Sequence, residues 1–366
     1  MRYIRYGVNA NEGAPQNDAF LVDPTGNIDP TTPIVWNFDT LTSIKAFPLD
    51  TRPLTLRGGH FVTIANAAES RYNYYGRGIK ISRSNVVITD LYHDIEGEGD
   101  HGAPYSGFIT VNQCANVTVK DCTLTPHKTY RTTGDNGATI TMGSYDLLAT
   151  QAINIVYINC RQTKDINDNK YWGIFGSNFC KNLTFDNCCL SRFDAHMGVV
   201  NATLRNSTLG HMGINAIGFG TFLVENCTVY GRNFINLRSD YGSTWRGEFI
   251  IKNSRFIPAG GAAATPVLFG GQNLSNHDFG YTCYMPEVIT IDGLLIDDTN
   301  HPANYNGPAI FADFNPNWNN NPNQTQYPYH LTGKVVLKNI TTQSGKKLRL
   351  TDNQHHMFKN VELAYE

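Results

Sequence analysis

Three stretches of the chain repeat one pattern: Asn182-Leu-Thr-Phe-Asp-Asn187-Cys188, Asn201-Ala-Thr-Leu-Arg-Asn206-Ser207 and Thr221-Phe-Leu-Val-Glu-Asn226-Cys227. Each unit is a short alternating strand, an Asn at a tight bend and a small residue, and the bend recurs after about twenty residues. One such unit cannot bury its apolar face alone, whereas stacked units can. The repeat therefore predicts a solenoid.

The same bend context continues in both directions from this centre. Asn and Asp tolerate the left-handed backbone that a tight bend needs, and stacked Asn side chains can bond along the solenoid axis. The predicted bend residues are Asp90, Asp121, Asn159, Asn187, Asn206, Asn226, Asn253, Asp292 and Asn339. Their unequal intervals indicate insertions of different length, which in a solenoid fall in loops on one face, often the binding face.

Four cysteines directly follow a bend residue, namely Cys122, Cys160, Cys188 and Cys227. Cysteines in a fixed register can form a metal site or disulfides. A repeating register is also what stacking demands, and a free cysteine behaves as a small hydrophobic residue. We predict a ladder of small buried side chains.

A third apolar stretch precedes each bend, as in Gly107-Phe-Ile-Thr-Val-Asn and Asn233-Phe-Ile-Asn-Leu-Arg. Three strands per coil, all parallel, predict an all-β fold, a right-handed single-stranded parallel β-helix with about ten or more coils. Residues 1–50 are rich in turn signals and are predicted to be an N-terminal cap or lead-in. Residues 51–366 form the predicted β-helix domain, with a long polar loop insertion near 313–330.

The overall composition excludes some classes of partner. Charged residues make up 16% of the 366 residues and the net charge is −2, which argues against nucleic acid or an anionic membrane as a partner. The sequence contains no run of 18 or more apolar residues, so it predicts no membrane span. The N-terminus lacks the apolar run of a signal peptide, so we expect a chain that is cytoplasmic when made or a fragment of a longer protein.

Candidate functional residues recur at intervals of about one coil. Polar side chains at the same height on adjacent coils form an exposed row with a spacing of about 4.8 Å, so that residues distant in sequence become neighbours. The candidate catalytic residues are Asp168, Asp194, His196, His211, Arg238 and Asp240, and the candidate substrate-binding residues are Asp165, Tyr171, Trp172 and Arg246. Asp100-His101 and Asp135-Asn136 would extend the same groove.

These residue types suit hydrolysis of a polymer. Asp194 and Asp168 would act as general acid and base, His211 would position water, and Arg238 would grip an anionic group. The alternatives are turn-capping carboxylates, a histidine bonded to a neighbouring coil, a surface salt bridge and aromatic core packing. Clustered Asp residues could bind Ca²⁺, although no dense spacing of ligands requires a metal or another cofactor.

The repeat over residues 50–363 resembles the pectin-lyase-like β-helix superfamily. Phe193-Asp-Ala-His-Met-Gly-Val-Val-Asn and Leu209-Gly-His-Met-Gly-Ile-Asn resemble bacteriophage tail-spike and preneck-appendage proteins that degrade surface polymers. The resemblance implies a bacterial envelope polymer, a teichoic acid or capsular polysaccharide, as substrate. It also implies a virion-tail or extracellular location and a homotrimer.

A second resemblance concerns the order carboxylate, carboxylate, Gly-His-x-Gly, Arg, which is similar to polygalacturonase-type hydrolases. The chain departs from that pattern because Asp194 is a lone Asp and Arg238-Ser-Asp240 lacks the Lys. Two other functions remain open. One is a polysaccharide lyase, for which Arg238 and Arg246 are the available bases, and the other is a receptor-binding adhesin without catalytic activity.

Overall fold

A computed structural model describes residues 2–7, 9–65, 75–98, 105–133, 137, 139–271, 278–312, 330–351 and 361–365. Almost all of the regular structure in these ranges is β, with 3-10 turns at Ser239–Tyr241 and Pro258–Gly261. None of the described helical segments is long and apolar enough to cross a bilayer. The predicted loop at 313–330, apart from residue 330, and the pairs Asp100-His101 and Asp135-Asn136 lie outside the described residues.

The strands stack in parallel along three rows, so the chain is a parallel β-helix, as the sequence predicts. The row that we call the groove row contains Ile79–Ile81, Ile109–Asn112, Leu147–Thr150, Phe175–Asn178, the ends of Cys189–Asp194 and Thr208–Ala216, Ile235–Leu237, Val267–Gly270 and Ala309–Phe311.

The second row, the ladder row, follows the groove row along the chain. It contains Leu54–Arg57, Val86–Thr89, Ala115–Lys120, Ile153–Ile158, Cys180–Asp186, Val199–Arg205, Gly218–Glu225, the first parts of Trp245–Phe256, Val288–Ile296 and Lys334–Thr342, and Glu362–Tyr365.

The third row contains His60–Ile64, Tyr92–Glu96, Thr123–Leu124, Arg161–Gln162, the starts of Cys189–Asp194 and Thr208–Ala216, Thr228–Val229 and the last parts of Trp245–Phe256, Val288–Ile296 and Lys334–Thr342. Short pairs outside the rows are Arg2–Tyr3 with Ala14–Pro15, Tyr75–Gly76 with Tyr105–Ser106, and Tyr130–Thr133 with Thr139–Met142.

The predicted bends carry the left-handed backbone that the sequence demands, with one exception. Asn187, for example, has φ 52. The prediction for Asp292 is wrong by one position, because Lys252 pairs with Asp292 and so sets Gly293 beside the bend residue Asn253. Gly293 has φ 79, a conformation that glycine adopts without steric cost.

A second set of left-handed Asn residues lies five positions before these bends, and its amide side chains bond from coil to coil. Asn154 donates through Nδ2 to Oδ1 of Asn116 at 3.0 Å, and its own Oδ1 accepts from Nδ2 of Asn182 at 2.9 Å. Asn201 continues the chain by donating to Asn182 at 3.1 Å. These bonds hold each coil directly over the one before it, so the strands keep their register.

The interior is filled by apolar side chains and by the predicted cysteine ladder. Phe222 stacks on Phe249 of the next coil with ring centroids 5.0 Å apart. All eight cysteines are free thiols, and the four that follow the bends are buried. The prediction of a ladder of small buried side chains, without disulfides, is confirmed.

The N-terminal segment packs along the flank of the β-helix. Tyr3 is 2% exposed and lies between the rings of Trp36, Phe179, Tyr241 and Tyr281. Lys181 is buried beneath the segment and pairs with Asp18 at 2.6 Å. The domain boundary at residue 50 stays a prediction.

Two variants at Asn154 should separate the contribution of its amide hydrogen bonds from that of its left-handed backbone. Asn154→Gly removes two amide hydrogen bonds and should lower the free energy of unfolding by about 1–2 kcal/mol. Asn154→Ala keeps a Cβ at φ 56 but loses the side-chain amide that lets Asn tolerate the left-handed region, and should cost about 1–2 kcal/mol more than the Gly variant. Denaturant unfolding measures both, and equal losses in the two variants would contradict the strained-bend explanation.

Candidate functional site

The groove row brings polar side chains from separate coils into one line. Ser177 forms a parallel β-bridge with Ala195, and this register sets Gly176 beside Asp194. Asp194 pairs with Asn215 of the next coil. Asn215 pairs with Asn236, whose Nδ2 donates to Oδ1 of Asn215 at 2.8 Å. We call this line of outward positions the floor, and Asp194 is the predicted site residue that belongs to it.

Asp194 lies at the centre of the floor and is fully buried. Its Oδ2 accepts a bond from the Tyr145 hydroxyl at 3.0 Å and contacts Nη2 of Arg192 at 2.7 Å. Nη1 of Arg238 reaches both carboxylate oxygens, at 3.1 and 2.9 Å. Burial alone would raise the pKa of Asp194, but the two guanidinium groups outweigh it and hold the pKa below its usual value.

Arg238 is held on its other side by Asp240. Its Nε donates to Oδ1 of Asp240 at 3.0 Å and its Nη2 donates to Oδ2 at 2.7 Å. Asp240 also accepts from Nε of Arg5, at 2.9 Å, on Oδ2. Burial opposes ionisation of Asp240, yet the two arginines lower its pKa well below the ordinary range. Most of the Arg238 donors are therefore occupied by protein carboxylates.

His196 borders the same group. Its Nδ1 lies 3.0 Å from Oδ1 of Asn178 in the previous coil, and its ring meets the edge of Tyr241. Burial, together with the positive charges of Arg238 and Arg5, lowers the pKa of His196 to about 3. His196 is therefore a neutral imidazole at physiological pH. We call Arg5, Arg192, Asp194, Arg238 and Asp240 the floor cluster.

Asp165, Asp168 and His211 lie together at a separate turn, which we call the wall. Asp165 and Asp168 cap a turn through bonds to the backbone N–H groups of Asn167 and Lys170. His211 docks on this turn, with Nδ1 2.9 Å from the carbonyl oxygen of Ile166. A bulge places His211 here, because Leu190 pairs with Leu209 whereas Arg192 pairs with Gly213.

Trp172 connects the wall to the floor. The Arg192 guanidinium lies over the Trp172 ring at 5.5 Å and over the Tyr145 ring at 5.6 Å. Tyr171 lies at the wall end of this contact, with the Lys164 ammonium 5.8 Å from its ring. Arg246 is exposed and lies over Tyr284 at 5.2 Å, a position that no contact joins to the floor cluster within the described residues.

Sequence reasoning missed three members of this arrangement. Arg192 precedes Asp194 by two residues, and strand alternation places such a pair on the same side, which was a usable signal. Tyr145 lies in a loop, and its ring covers Gly176, where a Cβ would stand 2.7 Å from the ring. Arg5 comes from the N-terminal segment, and no periodic pattern marks either of these residues.

A second buried group of ionisable residues was also missed. Nδ1 of His93 lies 2.5 Å from Oδ2 of Asp146, the residue before the groove-row strand Leu147–Thr150. Nδ1 of His127 lies 3.1 Å from Oε1 of Glu98. These contacts join the third-row strand Tyr92–Glu96 and loops of neighbouring coils. The part of the chain that the structure describes contains no group of three or more His, Cys, Asp or Glu that could hold a metal ion.

A cleft of about 490 Å³ continues the groove towards the first coils. Its lining includes Arg77, Lys80, Thr110, Asn112 and Thr150. Thr110 pairs with Lys80 and Asn112 pairs with Thr150, so the cleft lies on the same row as Asp194. Basic, hydroxyl and amide groups of this kind can bind the hydroxyls and acidic groups of a glycan.

We expect Asp194→Asn to lower the free energy of unfolding by about 3–5 kcal/mol at neutral pH, because it leaves two buried guanidinium groups without their carboxylate. The lowered pKa means that this contribution is complete above the unfolded-state value of about 3.9 and is lost as the pH falls through the folded-state value. Denaturant unfolding should therefore show wild type and variant converging only below about pH 4.

The control variant is Asp165→Asn, since Asn keeps the acceptor of an exposed turn and should stay within about 0.5 kcal/mol of wild type. A difference between wild type and Asp194→Asn that is under about 1 kcal/mol, or that is the same at every pH, would contradict the buried ion-pair explanation.

Comparison with known proteins gives a partial match in sequence. No protein-family model matches the chain. The chain is 28% identical, over 164 residues, to a capsule KL64-specific depolymerase of Klebsiella phage P510, a match that covers 41% of this chain and 15% of that protein. The chain thus spans far less than two thirds of the length of this curated relative.

Solved structures overlap with most of the chain. A polygalacturonase from Erwinia carotovora ssp. carotovora matches 85% of each chain with a TM-score of 0.35 and 11% identity. An endo-xylogalacturonan hydrolase from Aspergillus tubingensis matches 84% of this chain and 92% of its own, with a TM-score of 0.33 and 12% identity. The parallel β-helix fold is established by the strand pairing within this chain. The chain is a parallel β-helix protein that resembles, over part of its length, a phage capsule depolymerase.

Proposed function

We propose that this chain binds and degrades a bacterial surface polysaccharide, and that the polymer lies along the groove row. The observation that carries the proposal is the convergence of Asp194, His196, Arg238 and Asp240, from separate coils, on one floor beside a basic cleft. The partial similarity to a phage capsule depolymerase supports a capsular polysaccharide as the polymer. The proposal includes a virion-tail or extracellular location and a homotrimer.

The roles assigned from the sequence change for two residues, Asp194 and His211. A general acid must carry a proton and reach the substrate, whereas Asp194 is fully buried, ionised and engaged with two arginines. We therefore propose that Asp194 is a positioning residue for Arg192 and Arg238. Asp168 and His211, which are only partly buried on the wall, are the proposed acid–base groups for hydrolysis.

Elimination is a second candidate reaction, and a specific observation favours it. Burial raises the pKa of Tyr145 to about 12, so its hydroxyl keeps its proton, and Arg192 and Arg238 lie beside it. A lyase needs a base that takes the proton from C5 of a uronate, cations that neutralise its carboxylate, and a group that donates a proton to the leaving sugar. In this candidate reaction Asp168 or His211 would take the C5 proton, Arg192 and Arg238 would be the cations, and Tyr145 would be the proton donor.

A panel of purified polymers tests the function: KL64 capsule, other acidic capsules, neutral capsules and cell-wall teichoic acid. We expect wild type to shorten at least one acidic capsule, with fragments measured by size-exclusion chromatography. New reducing ends without ultraviolet absorbance indicate hydrolysis, and absorbance of an unsaturated product indicates elimination. Cleavage of teichoic acid alone would replace the polysaccharide assignment, and binding without fragments would make the chain an adhesin.

Variants of the wall separate hydrolysis from a structural role for these residues. We expect Asp168→Asn and His211→Gln to lower kcat by about 10²–10⁴-fold, the usual contribution of acid–base catalysis, with little change in the melting temperature. Asp121→Asn is the control, because Asp121 is an exposed bend residue on the ladder row and Asn keeps the acceptor for Nδ2 of Asn159; it should keep wild-type kcat. Full activity in both wall variants would exclude them as the acid–base pair.

A further inference from the structure

The N-terminal segment is fixed beside the floor cluster by backbone bonds on both sides of Arg5. Ile4 N donates to the carbonyl oxygen of Phe279 at 3.1 Å, and Tyr6 N donates to the carbonyl oxygen of Asp240 at 2.9 Å. The buried ring of Tyr3 anchors the segment in the aromatic cluster described above. Arg5 therefore has little freedom to leave the site while the segment is docked.

Arg5 and Arg238 bind the same carboxylate. Oδ2 of Asp240 lies 2.8 Å from Nη2 of Arg5 and 2.7 Å from Nη2 of Arg238, and its Oδ1 is held by Nε of Arg238. A carboxylate gripped in this way cannot rotate without losing charge-assisted bonds. Arg5 thus restrains the orientation of Arg238, although no bond joins the two guanidinium groups directly.

The floor cluster carries an excess of positive charge. It contains three guanidinium groups, on Arg5, Arg192 and Arg238, and two carboxylates, on Asp194 and Asp240. The neighbouring His196 is neutral. One positive charge is therefore not balanced within the cluster, and replacing Arg5 by a neutral residue would remove that excess.

We propose that Arg5 makes the N-terminal segment part of the substrate site: it positions Arg238 through Asp240 and supplies the excess charge that selects an anionic glycan. Arg5 is a positioning residue and not a catalytic residue. The selection of an anionic glycan rests on the proposed function, whereas the coupling from Arg5 to Arg238 does not.

The test uses the full chain with three variants. Arg5→Met keeps the length of the stem and removes the charge, and Arg5→Lys keeps the charge and loses the planar fork. Arg205→Met is the matched control, because Nη2 of Arg205 contacts Oδ2 of Asp186 at 3.0 Å in a pair between coils on the ladder row.

For the acidic polymer that wild type degrades, we expect Arg5→Met to raise KM about tenfold, because Arg238 is less firmly oriented and the site loses its excess positive charge, with kcat changed less than about twofold. Arg5→Lys should recover part of that loss, because it restores the charge without the fork. Arg205→Met should match wild type. An unchanged KM in Arg5→Met would overturn the selection of an anionic glycan.

A double-mutant cycle decides the coupling without any substrate. The melting temperatures of Arg5→Met, Arg238→Met and the double variant should depart from additivity, because both arginines act on Asp240. Additive shifts would overturn the positioning role. If wild type degrades and binds no polymer of the panel, the proposed function fails, but the cycle still decides whether Arg5 acts on Arg238.

Discussion

The structure depends on left-handed backbone positions that recur along the ladder row and that Asn, Asp or Gly occupies. Asn154 occupies one such position and also bonds to Asn116 and Asn182 of the adjacent coils. The backbone conformation and the stacking bond thus come from the same residue. Because each coil lies directly over its neighbour, outward positions of different coils superpose, and the groove row follows from that superposition.

The outward positions of the groove row carry buried charged side chains in place of apolar ones. Removing Asp194, Asp240 and their arginines from water is costly unless every member is paired. The pairing here runs through several coils and into the N-terminal segment, since Arg5 closes the end of the series at Asp240. The stability of this face and the arrangement of its charges therefore have one physical basis.

The sequence predicts the fold better than the site, and particular residues explain why. A bend residue such as Asn206 follows from local backbone chemistry, and even the error at Asp292 amounts to one position, because Gly293 meets the same backbone requirement. Asp194 and Arg238 could be predicted as neighbours from coil spacing alone. His211 shares that spacing, yet a bulge opposite Ser191 carries it to the wall. The approach of Arg5 depends on tertiary contacts that leave no periodic trace.

The cysteine ladder has a consequence for the conditions that the chain tolerates. Seven of the eight thiols are buried and the eighth is partly so, and burial raises the pKa of Cys180 and of Cys227 to about 12. Oxidants attack thiolates rather than protonated thiols, so Cys180 and Cys227 are poor targets in the folded state. The coils hold together without a covalent cross-link that a reductant could break. The folded chain should accordingly keep its structure in reducing surroundings.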